Sequence, residues 1–129
     1  MINKEDANIL IVDDIEDNRY TLERRLKRDG YKNIFLAEGG KTALDMATKN
    51  KFDLILLDLM MPDMSGLEVL KYLKGDPLQR SIPVIMVTAS DEVETAAECI
   101  INGADDFITK PFNGTLLKAR VGASLEKKR

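Results

Sequence analysis

Hydrophobic residues along this chain form short unbroken runs, separated by longer segments in which they recur every three or four positions. A short apolar run bounded by turn residues is typical of a strand buried on both faces, as in a parallel sheet. The runs predict strands at 8–13, 33–37, 53–57, 83–87 and 106–108. The segments between and after these strands predict five helices, because their apolar residues repeat at helical spacing.

Capping residues mark where several of these helices begin and end. The first helix, predicted at 16–29, is followed by Gly30, and glycine is favoured just past a helix end. Ser65 and Glu68 form a capping-box pattern at the start of the third helix. Asn113 is expected to cap the fifth helix.

The fourth helix carries a prediction about which side chains are exposed. Asp91 is expected to cap this helix, with Glu94 three residues later, and Gly103 is expected to end it. The apolar residues that should face inward are Val93, Ala96, Ala97 and Ile100. Ile101 lies about 100° around a helix from Ile100, so it should face solvent.

The order of the elements predicts the class of fold. Strands that alternate with helices form right-handed crossovers, which give a parallel sheet with helices on both faces. A length of 129 residues suits one α/β domain. We expect residues 1–7 to be an N-terminal tail, residues 8–125 to be the domain, and residues 126–129 to begin a helical linker.

The composition excludes several classes of function. The chain has no histidine, which removes histidine-based acid–base catalysis, serine-histidine-aspartate triads and histidine zinc sites. With one cysteine and no histidine, any metal site must be built from oxygen ligands, which selects magnesium, manganese or calcium. A net charge of −3 gives no overall footprint for nucleic acid. No apolar run approaches the ~18 residues that span a bilayer, and a single cysteine fits a reducing cytoplasm.

Residues with complementary chemistry stand where the predicted strands end. They are Asp13, Asp14, Asp58, Thr88 and Lys110. The carboxyl ends of parallel strands meet at one edge of the sheet, where ligands gather, so we expect these side chains to share a cleft. Three carboxylates repel one another, and a magnesium ion together with the ammonium of Lys110 would offset that charge. An aspartate beside such cations stays ionised and can attack phosphorus, and the Thr88 hydroxyl could donate to a phosphoryl oxygen.

These residues lie within a set of short motifs that resembles the receiver domain of two-component response regulators. The motifs are Asp13-Asp14, Asp58 with Met61-Pro62-Asp63 and Ser65-Gly66, Thr88-Ala89, and the segment 103–112. In this order they cover roughly residues 8–125. The resemblance implies the chemotaxis-regulator-like, flavodoxin-like fold, which is a doubly wound sheet of five parallel strands in the order 2-1-3-4-5 with five helices.

The resemblance also implies how the acidic residues are used. Asp58 would be the phosphoacceptor. The ligands of a magnesium ion, or of manganese in its place, would be Asp13, Asp14, Asp58 and the backbone carbonyl of Met60.

Further roles are implied for residues of the fourth and fifth strands. The phosphoryl group would be contacted by Thr88, the backbone of Ala89 and Lys110. Thr88 and Phe107 would form the switch pair, in which the aromatic ring moves inward as the hydroxyl moves toward the phosphoryl group. The peptide bond between Lys110 and Pro111 would be cis.

The function that the resemblance implies is signalling in the cytoplasm. The chain would take a phosphoryl group from a phosphohistidine on a sensor histidine kinase or phosphotransfer protein, in a magnesium-dependent reaction, and would regulate an output domain or a downstream protein. It would not be an enzyme beyond its own phosphorylation and dephosphorylation, and it would bind neither nucleic acid nor membranes. The fourth helix, fifth strand and fifth helix would form the surface for a homodimer or a partner, with Ile101 as a candidate contact.

Two other functions remain open. A magnesium phosphatase with an aspartate nucleophile would carry a second aspartate two residues after Asp58, and that position is Met60. A pure binding module would be either a flavodoxin-like cofactor binder or a receiver that has lost phosphorylation. No glycine-rich loop follows the first strand to hold a nucleotide, and the complete set of polar residues argues against a degenerate receiver.

Overall fold

The computed structural model describes residues 3–127, which form a five-stranded parallel sheet in the order 2-1-3-4-5 with helices on both faces. The strands are β1 (Asn8–Val12), β2 (Asn33–Ala37), β3 (Leu54–Asp58), β4 (Val84–Ala89) and β5 (Asp106–Lys110). The helices are α1 (Glu16–Arg28), α2 (Gly40–Lys49), α3 (Gly66–Gly75), α4 (Val93–Ile101) and α5 (Gly114–Lys127). A short 3₁₀ turn, Ser90–Glu92, joins β4 to α4. The predicted fold class is confirmed.

The core lies in two layers, one on each face of the sheet. Successive residues of β3 alternate between them, so that Ile55 and Leu57 pack toward α2, α3 and α4 and Leu54 and Leu56 pack toward α1 and α5. All five residues of β3 are buried. This explains the unbroken apolar run, because a strand covered on both faces has no position for a polar side chain until its end.

The strand register brings the ends of β3, β4 and β5 together. Asp58 is the Cα partner of Val87, and Ala89 is the Cα partner of Lys110. Lys110 is therefore the last residue of β5, which extends two residues further than the predicted strand. Parallel pairing carries every strand end to the same edge, which is where ligands bind in open sheets of this kind.

The predicted helix caps are confirmed at α3 and α5. The Ser65 side chain accepts a hydrogen bond from the backbone N–H of Glu68, whose own carboxylate accepts from the backbone N–H of Ser65. Asn113 accepts from the backbone N–H of Leu116. None of the helices within residues 3–127 is long and apolar enough to cross a bilayer.

The predicted inner face of α4 is wrong. Ala96 is fully buried as expected, but the other deeply buried residue of the helix is Cys99. The remaining residues predicted to face inward, all of them exposed, are Val93, Ala97 and Ile100. Ile101 is 84% exposed, as expected, although the assumption that Ile100 is buried fails.

The start of α4 explains this error. The helix begins at Val93 with Glu92 as its N-cap residue, so the predicted cap at Asp91 is also wrong. Residues 90–92 form the 3₁₀ turn, which winds more tightly than an α-helix. The apolar spacing alone does not fix the angle at which the helix leaves such a turn.

At both ends of the described chain, residues that were expected to lie outside the domain form part of its structure. Residues 4–6 form a turn against the domain, in which Lys4 donates to the Asp29 carbonyl, and Ala7 is fully buried. Helix α5 runs to Lys127 without a break at the expected domain end. Residues 128–129 of the expected linker, like residues 1–2 of the expected tail, lie outside the described residues. The domain boundaries stay a prediction.

Two Gly→Ala substitutions test how closely α3 packs against the end of β3. A Cβ on Gly66 would overlap the carbonyl oxygen of Asp58 and lie 2.9 Å from Leu59 Cα, whereas a Cβ on Gly122 in α5 would meet no atom within 4 Å. We expect Gly66→Ala to lower the free energy of unfolding by about 1–3 kcal/mol. Gly122→Ala should leave it unchanged or raise it by up to about 1 kcal/mol, because alanine favours a helix. Urea unfolding measures both, and equal values for the two variants would contradict this packing.

Candidate functional site

Three carboxylates converge at the carboxyl edge of the sheet. Asp13 and Asp14 directly follow β1, and Asp58 is the last residue of β3. Oxygen atoms from all three lie within 4.8 Å of one another. Asp13 is fully buried and Asp58 is 4% exposed, whereas Asp14 is exposed. The site therefore has two carboxylates shielded from water and one open to it.

Lys110 places a positive charge between the two buried carboxylates. Its Nζ donates to Asp58 Oδ1 at 3.0 Å and lies 3.5 Å from Asp13 Oδ2. The strand pairing of β4 with β5 sets this position, since it brings Lys110 beside Ala89. The peptide bond between Lys110 and Pro111 is cis, the isomer that the resemblance implied.

The charges in the site are not balanced by Lys110. Burial raises the pKa of Asp58 to about 6, against the hydrogen bond from Lys110, and the nearby charges of Asp13 and Asp14 add to the increase. Burial disfavours the charged form of Lys110, but the contacts with Asp58 and Asp13 outweigh it and raise the pKa of the ammonium. Lys110 therefore stays charged, and Asp58 is mostly ionised at pH 7.

The residues present fit a divalent cation that prefers oxygen ligands. Asp13 Oδ2 is buried and has no hydrogen-bond partner in the structure, whereas Asp13 Oδ1 accepts from the backbone N–H of Ile15 at 2.9 Å. One oxygen of Asp13 thus accepts a hydrogen bond from the chain, whereas the other accepts none and has the ammonium of Lys110 3.5 Å away. Hard cations are held by such carboxylates at partly open sites. Met60, whose carbonyl was an expected ligand, follows β3 after one intervening residue, and its side chain is 59% exposed.

Asp63 holds the loop that follows Asp58 against the start of α2. Its carboxylate accepts from the backbone N–H groups of Gly40, at 3.2 Å, and Lys41, at 3.1 Å. The hydrogen bond from Lys41, followed by the one from Gly40, lowers the pKa of Asp63 although burial opposes this. A Cβ on Gly39 would lie 2.9 Å from this carboxylate, so glycine allows the approach. Sequence reasoning noticed Asp63 only as part of a motif and missed this contact.

The two expected phosphoryl donors on β4 are engaged with nearby groups of the chain. The hydroxyl of Thr88, which is fully buried, donates to the carbonyl of Ala89 at 3.1 Å. The backbone N–H of Ala89 donates to Glu92 Oε1 at 3.0 Å. Sequence reasoning missed Glu92. The signal that could have found it is its position three residues after Ala89, the spacing at which a glutamate accepts from a backbone N–H before a helix.

Phe107 and Ile101 lie away from the carboxylates. Phe107 is partly buried and packs against the core layer under α2, α3 and α4. It is the Cα partner of Met86 on β4, two residues before Thr88. Ile101 projects into solvent at the end of α4. The structure therefore brings together the charged residues of the predicted site, with Thr88 and Ala89 beside them, and leaves Phe107 and Ile101 as surface or near-surface positions.

A family model described as the response regulator receiver domain matches residues 9–122. The chain is 46% identical over 115 residues to Response regulator PleD of Caulobacter vibrioides, a match that covers 89% of this chain and 25% of that protein. It is 35% identical over 127 residues to Chemotaxis protein CheY-3 of Vibrio cholerae, covering 98% of this chain and 97% of that protein.

Solved structures show the same likeness. The receiver domain of the Francisella response regulator 1452 superposes with a TM-score of 0.86 at 30% identity, covering 96% of this chain and all of that one (100%). The chain spans only about a quarter of PleD, and 48% of a second relative, the cell cycle transcriptional regulator CtrA of Caulobacter vibrioides. The longer relatives thus contain segments that this chain does not match.

The raised pKa of Asp58 predicts how stability depends on pH in a chelating buffer. A carboxyl with a raised folded-state pKa contributes stability that is complete below its unfolded pKa, near 4, and is lost as pH rises through about 6. Asp58→Asn removes this loss, so the variant should be more stable than the parent at pH 7.5. A pKa shift of about two units corresponds to a change of about 3 kcal/mol in the free energy of unfolding. Screening by water and ions at the open side of the site should reduce the observed gain to about 1–2 kcal/mol.

Urea unfolding at pH 4.5 and 7.5 checks this prediction. The free energy of unfolding of Asp58→Asn should exceed that of the parent by more at pH 7.5 than at pH 4.5. Asp45→Asn, which removes an exposed carboxylate of α2 that is paired with Lys49, is the control and should not be more stable than the parent at pH 7.5. A variant that is less stable than the parent at pH 7.5 would contradict the charge imbalance.

Proposed function

We propose that this chain, which belongs to the response regulator receiver domain family, accepts a phosphoryl group on Asp58 and changes conformation in response. The family suggests that the donor is a phosphohistidine of a sensor histidine kinase or phosphotransfer protein. That histidine lies outside these 129 residues, which contain none. The observation that carries the proposal is the buried Asp58 carboxylate, with Lys110 Nζ 3.0 Å away and two further carboxylates beside it.

The chemistry of the transfer is a displacement at phosphorus. An ionised oxygen of Asp58 forms a bond to phosphorus while the bond from phosphorus to the donor imidazole nitrogen breaks, and the imidazole leaves with that electron pair. Lys110 moves from the free carboxylate to the incoming phosphoryl oxygens, whose charge it offsets. Such transfers depend mainly on positioning and charge stabilisation, which the buried end of β3 and the ammonium of Lys110 would provide.

Magnesium, or manganese in its place, is the proposed cofactor. The ligands would be Asp13, Asp14, Asp58 and the backbone carbonyl of Met60. A bound divalent cation would neutralise charge on the carboxylates and on the phosphoryl oxygens. The oxygen of Asp13 that accepts no hydrogen bond and the open side of the site at Asp14 support this assignment. Among the described residues this is the one group of three or more acidic or sulfur-bearing side chains close enough to hold a metal.

The response to phosphorylation is a shift between two conformations. Thr88 would turn its hydroxyl from the Ala89 carbonyl toward the phosphoryl group, and Phe107 would move further into the core as Thr88 leaves space. A phosphoryl group can shift this equilibrium only to the extent that it binds the two conformations differently. The hydroxyl of Thr88 is a group that can make such a difference, since it is buried and donates to the Ala89 carbonyl in this structure. In the phosphorylated state it would donate to the phosphoryl group instead.

The partners are proposed from the family and from the exposed surface. PleD and CtrA are longer than this chain, so an output domain or a separate downstream protein would receive the signal. The surface of α4, β5 and α5 would form a homodimer or a partner contact, with Ile101 within it. We propose no turnover of an external substrate and no binding of nucleic acid or membranes by this domain. The cytoplasmic location stays a prediction.

Labelling with a small phosphoryl donor tests the proposed function. After incubation with acetyl phosphate and magnesium chloride, the intact mass of the parent should show one phosphate adduct. Asp58→Asn should show none, and Asp14→Ala should lose the magnesium-dependent labelling. Asp45→Asn, a carboxylate on the exposed face of α2, should be labelled like the parent. A parent without an adduct would contradict the proposal, and release of phosphate over many turnovers would favour the phosphatase alternative.

The assignment of Ile101 to a dimer surface has a separate test. Ile101 is 84% exposed, and its apolar neighbours Val93 and Ile100 on α4 are 44% and 41% exposed. We expect the phosphorylated protein to dimerise and Ile101→Asp to weaken that dimer about tenfold or more. Leu78→Asp, at a site between α3 and β4 that is 88% exposed, is the matched control. Sedimentation equilibrium measures the dimer dissociation constant of each variant. Equal constants for the two variants would show that Ile101 lies outside the dimer interface.

A further inference from the structure

The backbone N–H of Ala89 is held by a carboxylate of the chain itself. Ala89 ends β4, and the pairing of β3 with β4 stops two residues earlier, at Asp58 and Val87. The N–H of Ala89 donates to Glu92 Oε1 at 3.0 Å, and this contact is partly buried. Ala89 is also the Cα partner of Lys110, whose ammonium contacts Asp58. The Glu92 carboxylate therefore binds a donor at the edge of the sheet where the phosphoryl group would be bound.

We propose that Glu92 is a positioning residue that competes with the phosphoryl group for the N–H of Ala89. This inference rests on the proposed function. Carboxylates and phosphoryl groups are both anionic acceptors, and each forms short, strong hydrogen bonds with backbone N–H groups. A single N–H cannot make a full hydrogen bond to both at once. Phosphorylation of Asp58 then requires Glu92 to leave Ala89.

Charge acts in the same direction as this competition. The site already contains Asp13, Asp14 and Asp58, whose mutual repulsion contributes to the raised pKa of Asp58. A phosphoryl group brings additional negative charge, and like charges at short range repel. The repulsion weakens the hold of Ala89 on Glu92 just when a second acceptor arrives.

The two hydrogen bonds that must change share one residue. Thr88 donates to the carbonyl of Ala89, and the N–H of Ala89 donates to Glu92. Redirecting both toward a phosphoryl group frees the Thr88 hydroxyl and the Glu92 side chain together. The unphosphorylated state is thus stabilised by contacts at Ala89 that the phosphorylated state gives up.

Release of Glu92 would reach the surface through α4. Glu92 is the last residue of the 3₁₀ turn and the N-cap residue of α4. The hydrogen bond from Ala89 ties this turn back to the end of β4. Without it, the first turn of α4 loses a fixed connection to the site, and the helix that carries Ile101 can change its position on the sheet. Glu92 would in this way transmit a change at Asp58 to the exposed surface of α4.

Beryllofluoride, a phosphoryl analogue, tests the competition in the presence of saturating magnesium. Glu92→Ala removes the competing carboxylate and should bind beryllofluoride about tenfold more tightly, the effect of losing one charge-assisted hydrogen bond in the free state. Glu92→Gln keeps an oxygen acceptor without the charge, so its affinity for beryllofluoride should lie between those of the parent and Glu92→Ala. Glu94→Ala removes an exposed carboxylate from the first turn of α4 and should bind like the parent.

The amide resonance of Ala89 gives a second readout that needs no ligand. In the unphosphorylated parent it should appear downfield, as expected for an N–H bound to a carboxylate, and it should move upfield in Glu92→Ala but not in Glu94→Ala. A merely structural role for Glu92 predicts the opposite binding result, since a loosened turn would weaken beryllofluoride binding. Glu92→Gln preserves the turn and keeps the test valid if Glu92→Ala fails to fold.

The outcomes separate this inference from the function on which it rests. If the parent neither binds beryllofluoride nor is labelled by acetyl phosphate, the proposed function fails and this inference fails with it. If the parent is labelled and binds beryllofluoride, but Glu92→Ala and Glu92→Gln bind it no more tightly, this inference alone is overturned. An Ala89 amide resonance that is unchanged in Glu92→Ala would also overturn it.

Discussion

The carboxylates of Asp13, Asp14 and Asp58 are held together by the pairing of β1 with β3, against their mutual repulsion. Val12 is the Cα partner of Leu57, and the next residue in the chain after each of them is an aspartate, so Asp13 and Asp58 meet at the sheet edge. Burial makes the arrangement costly, because it disfavours the charged form of Asp58 and raises the pKa of this carboxyl to about 6. Lys110 offsets part of the charge from β5. The negative charge that remains could hold a divalent cation at this edge.

The end of β4 connects this charge to the rest of the molecule. The backbone of Ala89 contacts the Thr88 hydroxyl through its carbonyl and the Glu92 carboxylate through its N–H. On the proposed function, one event at Asp58 draws both groups away from their partners. The consequence is a change at the first turn of α4, a helix whose exposed side is apolar at Val93, Ile100 and Ile101. On this proposal, the hydrogen bond between Ala89 and Glu92 would link the charge at the edge of the sheet to the packing of α4.

The fold and the charged part of the site could be predicted from the sequence for related reasons. An apolar run such as Leu54–Leu57 indicates a strand covered on both faces, and alternation with helices requires a parallel sheet. Parallel strands end at one edge, so Asp58 and Lys110 could be placed together although they are far apart in the chain. The site residues that the sequence predicted correctly are those placed together by the order and direction of the strands alone.

What could not be predicted depends on details that periodicity does not contain. The inner face of α4 was wrong because a 3₁₀ turn of three residues precedes the helix and sets its rotation, which buries Cys99 instead of Ile100. The contact of Asp63 with Gly40 joins residues 23 apart in sequence, and no local pattern marks it. The contact of Glu92 with Ala89 depends on the choice between neighbouring acidic residues, and the pattern favoured Asp91 as the cap.

Chemical location of the phosphoryl group tests the central claim most directly. An acyl phosphate on aspartate is reduced by borohydride to homoserine, which peptide mapping by mass spectrometry can assign to one position. After phosphorylation by acetyl phosphate or a phosphohistidine donor, homoserine should replace aspartate at residue 58. Homoserine at residue 13 or 14, or the absence of homoserine from a protein that carries a phosphate adduct, would contradict the account.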